Sequence, residues 1–383
     1  MDFTLSEDQQ ILKATMRDFA AAEIVPMAAS LEKREEFPAD ILEKLATLGI
    51  LGMSIPEDHG GAGFGSVSSA LVLEELAAAC ASTAVTVSVH NTASAGPISR
   101  FGNAAQKRKY LPRMASGELL GGFALTEPSA GSDAAAIQAR AIRSGDRYVL
   151  TGTKSWITNA LVGGVFVVFA VTDPGRGSRS ISAFIVEPGM PGFSFGKAED
   201  KLGLRASMTA EIILKGCEVP ADNLLGEEGM GLRIALSTLD LGRIGIAAQA
   251  IGIARAAFEA AMQHAGRREA FGAPLSRLQA IQNKLADMAT QIDAARLLTH
   301  WAAYLIDSGA KDFTRPASEA KLYATEMGNR VCYEAIQIFG GYGYSREYSV
   351  ERYFRDVRVT TLYEGTSEIQ RIVIARKLIS AAA

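Results

Sequence analysis

Glu364 is the residue best placed to do acid–base chemistry. It lies in Tyr363-Glu364-Gly365-Thr366-Ser367-Glu368, directly after a Val-Thr-Thr-Leu run that reads as extended. Thr366 or Ser367 can cap the final helix, and the N-terminus of such a helix can hold an anion. Glu364 is then a loop carboxylate at a junction. A lone loop glutamate is more often solvated surface than a general base, so its role depends on what the rest of the chain brings to it.

Three other segments have compositions suited to a ligand. Phe123-Ala124-Leu125-Thr126-Glu127-Pro128-Ser129-Ala130-Gly131-Ser132-Asp133 is a strand running into a turn dense in small hydroxyl residues and glycine. Such a turn offers N–H groups and hydroxyls to an acceptor-rich ligand, although by itself it is equally an ordinary turn. Lys154-Ser155-Trp156-Ile157-Thr158-Asn159-Ala160 holds one of only two tryptophans. A Trp face can cover a flat heteroaromatic ring and a Thr hydroxyl can serve a ring nitrogen; the plain alternative is a core Trp at a strand end. Gln337-Ile338-Phe339-Gly340-Gly341-Tyr342-Gly343-Tyr344 closes a helical pattern. Paired glycines there cap the helix, and they also let backbone approach a ligand closely.

Other chemistries lack their residues. Gly60–Ser66 is glycine-rich, but it follows no strand and Ser66 stands where a dinucleotide fingerprint needs glycine. No GxxxxGK[ST], HExxH or GxSxG occurs, and the four histidines (His59, His90, His264, His300) are scattered, so no metal site is expected. Cys80, Cys217 and Cys332 are far apart, as reduced thiols would be in a cytoplasmic protein. The start, Met1-Asp2-Phe3-Thr4, has neither a secretory leader's basic and apolar segments nor a transit peptide's Arg/Ser-rich character, so cytoplasm is the expectation.

The elements that must position these residues fall into three blocks. Of 383 residues, 48% are apolar and 21% charged, with a net charge of −3. That balance suits a folded chain with a large core, and it argues against a nucleic-acid partner. The purest apolar run, Val165 to Val171, is far shorter than the roughly 20 residues needed to span a bilayer, so no membrane span is expected. Residues 1–117 read as helical. Ser6 opens a helix that should stop before Pro26, Pro38 starts another with Ile41, Leu45 and Leu48 on one face, and helices follow at 67–81 and 104–115. Residues 118–230 carry short β-rich runs at 119–125, 148–153, 165–172, 181–187 and 210–215, which predicts a compact antiparallel β-domain. Residues 231–383 return to long helical periodicity. Leu278, Ile281, Leu285, Met288 and Ile292 form a bundle seam, prolonged by Leu298, Trp301 and Leu305. The fold class is therefore α+β: an N-terminal helical domain, a middle β-domain and a C-terminal four-helix bundle.

Taken together, T-E-P-x-A-G-S-D at 126–133, W-I-T-N-A at 156–160, Q-I-F-G-G at 337–341 and Y-E-G-T-S-E-I-Q-R at 363–371 resemble the acyl-CoA dehydrogenase family. Lys201–Ser207, Arg268–Pro274 and Tyr353–Asp356 extend the resemblance over essentially the whole chain. It implies an FAD enzyme that desaturates an acyl-CoA thioester. Glu364 matches the base that removes the α-proton while a β-hydride leaves for flavin N5, giving a trans-2-enoyl-CoA. Phe123, Leu125, Thr126, Gly131 and Ser132 would pass the flavin ring and ribityl chain, with Trp156, Ile157 and Thr158 flanking the ring. Arg268, Phe271 and Gln279 match the pyrophosphate and adenosine side. Gln337, Ile338, Phe339, Gly340 and Gly341 would serve it from a neighbouring subunit, and Thr366 and Glu368 complete the site. Ser132, Asp240, Arg243 and Gly365 match substrate-side positions.

The stretch Leu239–Gln249 looks most like the short-chain, butyryl branch. Some relatives carry their base on the helix beside Arg243; here that position is Gly242, which leaves Glu364 as the candidate. No Arg or Lys lies in Thr83–Ile98, which weighs against a glutaryl-type substrate. The resemblance also implies a homotetramer built on the C-terminal helices and transient docking of an electron-transferring flavoprotein. Two rivals come from other classes. A flavin-dependent oxygenase on the same fold would lack the Tyr-Glu-Gly-Thr base, and a non-catalytic helical interaction protein would use every motif for capping or core.

Overall fold

Ser6 caps the first helix reciprocally: its Oγ accepts from Gln9 N at 3.2 Å while Ser6 N donates to Gln9 Oε1 at 3.1 Å. The computed structural model describes residues 4–382; Met1–Phe3, on which the expectation about a leader partly rests, lie outside it. Helix α1 (Glu7–Phe19) ends before Pro26, but the helical path does not. A wide π turn at Ala20–Ile24 leads straight into α2 (Val25–Arg34). Pro26 lies in the first turn of α2, where its missing N–H is not needed, and the wide turn takes up the crowding its ring would otherwise cause. In α3 (Ala39–Thr47), Ile41 and Leu45 are buried, but Leu48 is 45% exposed because the helix has already ended.

Helices α4 (Ser66–Ala79) and α7 (Ala104–Ala115) follow the sequence pattern closely. Between them lie α5 (Ala81–Ser88), a π turn at Val89–Ala95 and α6 (Gly96–Phe101), none of which the periodicity announces. Every residue of α5 is buried. A segment rich in Thr, Ser and Val has weak helix propensity, so burial on all sides decides its conformation.

The middle sheet has the order β6-β7-β3-β2-β4-β5-β8, with β1 paired to β4. Its strands are β1 (Gly121–Ala124), β2 (Arg140–Ser144), β3 (Arg147–Thr158), β4 (Val165–Val171), β5 (Ile181–Val186), β6 (Phe193–Ala198), β7 (Thr209–Pro220) and β8 (Leu224–Leu225). Most pairs are antiparallel, as expected, but β1 and β2 both meet β4 in parallel, so the sheet is mixed. The β2–β3 hairpin separates β1 from β4, and such a long connection permits parallel pairing. Strands β2 and β6 escape the sequence pattern because β2 buries only Ala141 and β6 buries none of its residues.

Helix α8 (Gly231–Arg267) is the axis of the C-terminal block. It is long and apolar enough to cross a bilayer, yet 78% of its most apolar window is buried inside the protein, against α4, α9 (Gln279–Asp307) and α10 (Thr314–Phe339). Its apolar length therefore serves the core. A short hairpin, β9 (Glu269–Ala270) and β10 (Ala273–Pro274), joins α8 to α9. Helix α11 (Val350–Val357) runs into a 3₁₀ turn, Arg358–Thr361, before α12 (Ser367–Ala382). The β-branched Val359-Thr-Thr run is thus not extended. Thr360 and Thr361 donate their hydroxyls to Val357 O and Arg358 O, which holds the turn.

Two groups of charges tie the blocks together. Adjacent buried Glu74 and Glu75 on α4 receive Arg17, Arg255 and Arg296 from α1, α8 and α9. Buried Asp356 on α11 accepts from Leu204 N at 2.7 Å, docking the Lys201–Ser207 loop of the β-domain on the bundle. The three cysteines are buried and unpaired.

Candidate active site

The loop between α11 and α12 holds two consecutive residues with left-handed backbone, Glu364 at φ 49° and Gly365 at φ 90°. A non-glycine residue in that region is strained and persists only where its surroundings over-determine it. Here the loop carbonyls are pinned. Gln370 Nε2 donates to Glu364 O at 3.3 Å and to Gly365 O at 2.9 Å, and Lys321 Nζ donates to Gly365 O at 2.7 Å. On the other side, Tyr363 donates its hydroxyl to Gln249, whose amide donates to Ala81 O at 3.2 Å. Thr366, not Ser367, caps α12, accepting from Ile369 N at 3.3 Å.

The carboxyl of Glu364 points at α8. Its Oε2 is buried and has no hydrogen-bond partner, and a Cβ built on Gly242 would lie 2.0 Å from it. Only glycine leaves room for this carboxylate. Burial pushes the Glu364 carboxyl up to about 7, with the positive charges of Lys321 and Arg243 acting against it. A carboxyl that ionises near neutrality, with an uncommitted oxygen, is what a general base requires.

Arg243 lies one residue further along α8 and is 5% exposed. Its Nη1 donates to Asp240 Oδ1 at 2.6 Å and to Ser318 Oγ at 2.9 Å, while Thr314 donates to Asp240 Oδ2 at 2.8 Å. Asp240 and Arg243 are thus brought together beside the base but largely satisfy one another, and only Arg243 Nε is buried without a partner.

The aromatic segment is built by a break in the sheet. The β3–β7 register shifts between Lys154 and Ile157. Trp156, at φ 62°, turns outward and is 60% exposed. Ser155 N donates to Thr126 O at 2.9 Å, which sets the Thr126 loop beside Trp156. Beneath lies a buried ion pair, Lys154 Nζ to Glu127 at 2.7 Å, with Lys154 also donating to Leu125 O at 3.1 Å. Glu127 in turn accepts from Gln138 N and Ala139 N at 2.6 and 3.0 Å. Burial pushes the Lys154 ammonium down to about 8. Thr126 and Thr158 are partly exposed, and Gly131 and Ser132 are exposed. Leu125 and Ile157 have their side chains in the core, so only their backbone can meet a ligand. Phe123 packs on Phe169, ring centres 4.9 Å apart.

A second cluster forms where α8 and α10 end. Arg268 lies over the ring of Tyr342, 5.4 Å from its centre, which brings it to the Gly340–Gly341 turn. Gly340 caps α10 at φ 61°. Phe271 tops the β9–β10 hairpin in a left-handed conformation and is 93% exposed. Gln279, Gln337 and Gly341 are exposed, whereas Ile338 and Phe339 are core residues, Phe339 stacking on His264 at 4.1 Å. Among the described residues no hydrogen bond, ion pair or ring contact joins this cluster to Trp156 or Glu364. Glu368 is exposed at the start of α12.

Gln370, Gln249, Lys154 and Glu127 lie inside the quoted segments, although nothing in those segments marks them as the groups that anchor the loops; Lys321 lies outside every motif. The available signal is a lysine among Ala317, Ala320 and Ala324, a polar residue on the apolar face of a helix. The outward Trp156 and the exposed Gly131–Ser132 turn can meet a flat ring, and the glycine-lined carboxylate of Glu364 is free to take a proton.

Comparison with known proteins shows the family of the chain. The family descriptions "Acyl-CoA dehydrogenase" N-terminal, middle and C-terminal domain match residues 6–118, 122–217 and 229–379. The short-chain specific acyl-CoA dehydrogenase of Mus musculus mitochondria is 50% identical over 98% of this chain and 91% of its own. The structure of butyryl-CoA dehydrogenase from Megasphaera elsdenii superposes with a TM-score of 0.97 at 44% identity, covering 99% of this chain and 100% of that one. A glutaryl-CoA dehydrogenase from Mycobacterium smegmatis, in complex with FADH2, superposes at 0.93 with 34% identity over 99% and 96% of the two chains.

Proposed function

The chain belongs to the acyl-CoA dehydrogenase family and is an FAD-dependent oxidoreductase, and from that premise we propose that it converts a short or short branched acyl-CoA to the trans-2-enoyl-CoA with Glu364 as the base. The observation that carries this reading is the buried, unpartnered Oε2 of Glu364 set against Gly242.

Glu364 takes the α-proton. In water a carboxylate is far too weak a base for a thioester α-carbon. Burial raises its proton affinity toward neutrality, and the pinned loop fixes its direction. The backbone N–H of Glu364 is the donor we assign to the thioester oxygen, on which negative charge develops. A Cβ on Gly365 would lie 2.6 Å from Gln370 Nε2, so glycine there lets Gln370 reach the loop carbonyls that hold the base. Thr126, Trp156 and Thr158 hold the flavin end of FAD, with Gly131 and Ser132 at the turn. Arg268, Phe271, Gln279, Gln337, Gly340 and Gly341 hold its phosphate and adenosine end. FAD supplies the acceptor for the β-hydride. The projecting Phe271 favours an FAD site shared between copies of the chain, and a homotetramer belongs to the same proposal. Electron-transferring flavoprotein as the electron acceptor and a cytoplasmic location belong to the same proposal.

An oxygenase on this fold would have no use for a buried base at Glu364, which disfavours that reading. The test is a series of acyl-CoA substrates of rising chain length with an artificial electron acceptor. The proposal expects four-carbon and short branched chains to give the highest kcat/KM. A maximum at long chains would overturn the substrate assignment.

A further inference from the structure

We propose that Lys321 is a positioning residue for Glu364: its buried ammonium fixes the carbonyl that follows the base and keeps positive charge where the carboxylate must ionise. The inference rests on Glu364 being the base.

Lys321 is among the largest fully buried side chains of the protein, on the inner face of α10. A buried charge is unfavourable unless it is compensated, so a lysine here needs an electrostatic partner. Its hydrogen bond goes to Gly365 O at 2.7 Å, which leaves two of its three N–H donors uncommitted. The charges facing it come from three elements besides the loop. Arg243 on α8 is already held by Asp240 and Ser318, and Glu326 on α10 is paired with Arg371 at 2.6 Å. Glu368 on α12 is exposed to solvent. Glu364 is left as the carboxylate with a buried oxygen, Oε2, free of any partner.

The two groups influence one another in the direction this arrangement requires. Burial pushes the Lys321 ammonium down to about 8, and Glu364 holds it up. Burial pushes the Glu364 carboxyl up, and Lys321 is the first charge opposing that rise. Near neutral pH the ammonium keeps most of its proton while the carboxylate can lose its own. Gln370 shares the Gly365 carbonyl, so the strained backbone is held from α10 and α12 together.

The experiment is the pH profile of kcat/KM for the holoenzyme and for Lys321→Met, Lys321→Gln and Lys321→Arg, with flavin content and Tm measured on each. Met removes both the charge and the hydrogen bond. Gln removes the charge but can still donate to Gly365 O, and Arg keeps the charge. We expect the acid limb to move up by roughly one pH unit or more in Met and Gln, and to stay near the wild-type position in Arg. If Met does not fold, Gln alone decides. An acid limb that stays put in a neutral variant with normal flavin content overturns the proposal. Glu364→Gln run alongside separates the two claims. If it turns over normally, the base assignment fails; if it is inactive while the Lys321 variants keep the wild-type limb, only the role of Lys321 fails.

Discussion

A Cβ on Gly242 would lie 2.0 Å from Oε2 of Glu364. The backbone of α8 and the loop carboxylate therefore occupy space that any side chain at 242 would contest. Gly242→Ala must displace the carboxyl or bend the helix. A shift of about 1 Å at a reacting group costs on the order of 100-fold in rate. We expect kcat to fall by about that factor while bound flavin and Tm stay close to wild type. Steady-state kinetics with a four-carbon acyl-CoA would show it.

The carboxyl of Glu364 is pushed up to about 7 from an ordinary value of 4.5, with burial the main cause. Only the ionised form can take a proton, so kcat/KM should fall about tenfold per pH unit below 7 and level off above it. The stability effect has the opposite sense. A carboxyl whose folded value is raised costs nothing below about 4.5; the cost grows as pH rises and is complete above about 7. Glu364→Gln should therefore leave Tm unchanged at pH 4.5 and raise it at pH 8, by an amount corresponding to at most about 3 kcal/mol. Thermal scans at the two pH values check both signs.

Lys154 and Glu127 form an ion pair that is 0% and 4% exposed at the side chains. Lys154→Met leaves a buried carboxylate with only the Gln138 and Ala139 N–H groups. Removing one partner of such a pair costs about 3–5 kcal/mol. Because the pair also anchors Leu125 O beneath the Thr126 loop, flavin content should fall with Tm. Denaturant unfolding together with the absorbance ratio of flavin to protein measures both.

Trp156 is 60% exposed, so little packing is lost when it is cut back. Surface substitutions usually change stability by less than about 0.5 kcal/mol. Trp156→Ala should keep the Tm of the FAD-free protein and weaken FAD rebinding at least tenfold, as read by titration of flavin fluorescence.

Much of the molecule is legible in its amino-acid sequence. Periodicity marks α7 to the residue and the bundle seam of α9, and it marks the two valine- and isoleucine-rich strands β4 and β5, because burial there is regular. It fails where a neighbour, or a side chain's bond to its own backbone, decides the conformation. Helix α5 is helical because it is enclosed, and Arg358–Thr361 turns because its own hydroxyls satisfy the backbone. Glu364, Trp156 and Arg268 are legible as motif residues. Lys321 is not, and the anchoring role of Gln370, although it lies in the 363–371 motif, is not legible either, since each acts through hydrogen-bonded carbonyls that only the folded loop creates. Ile338 and Phe339, motif residues too, have their side chains in the core.

The most direct test mixes anaerobic holoenzyme with butyryl-CoA and follows the flavin absorbance. Wild type should bleach rapidly. Glu364→Gln should bind the acyl-CoA, seen as a perturbed flavin spectrum, and keep its yellow colour. Bleaching of Glu364→Gln at the wild-type rate would contradict the assignment of Glu364 as the base.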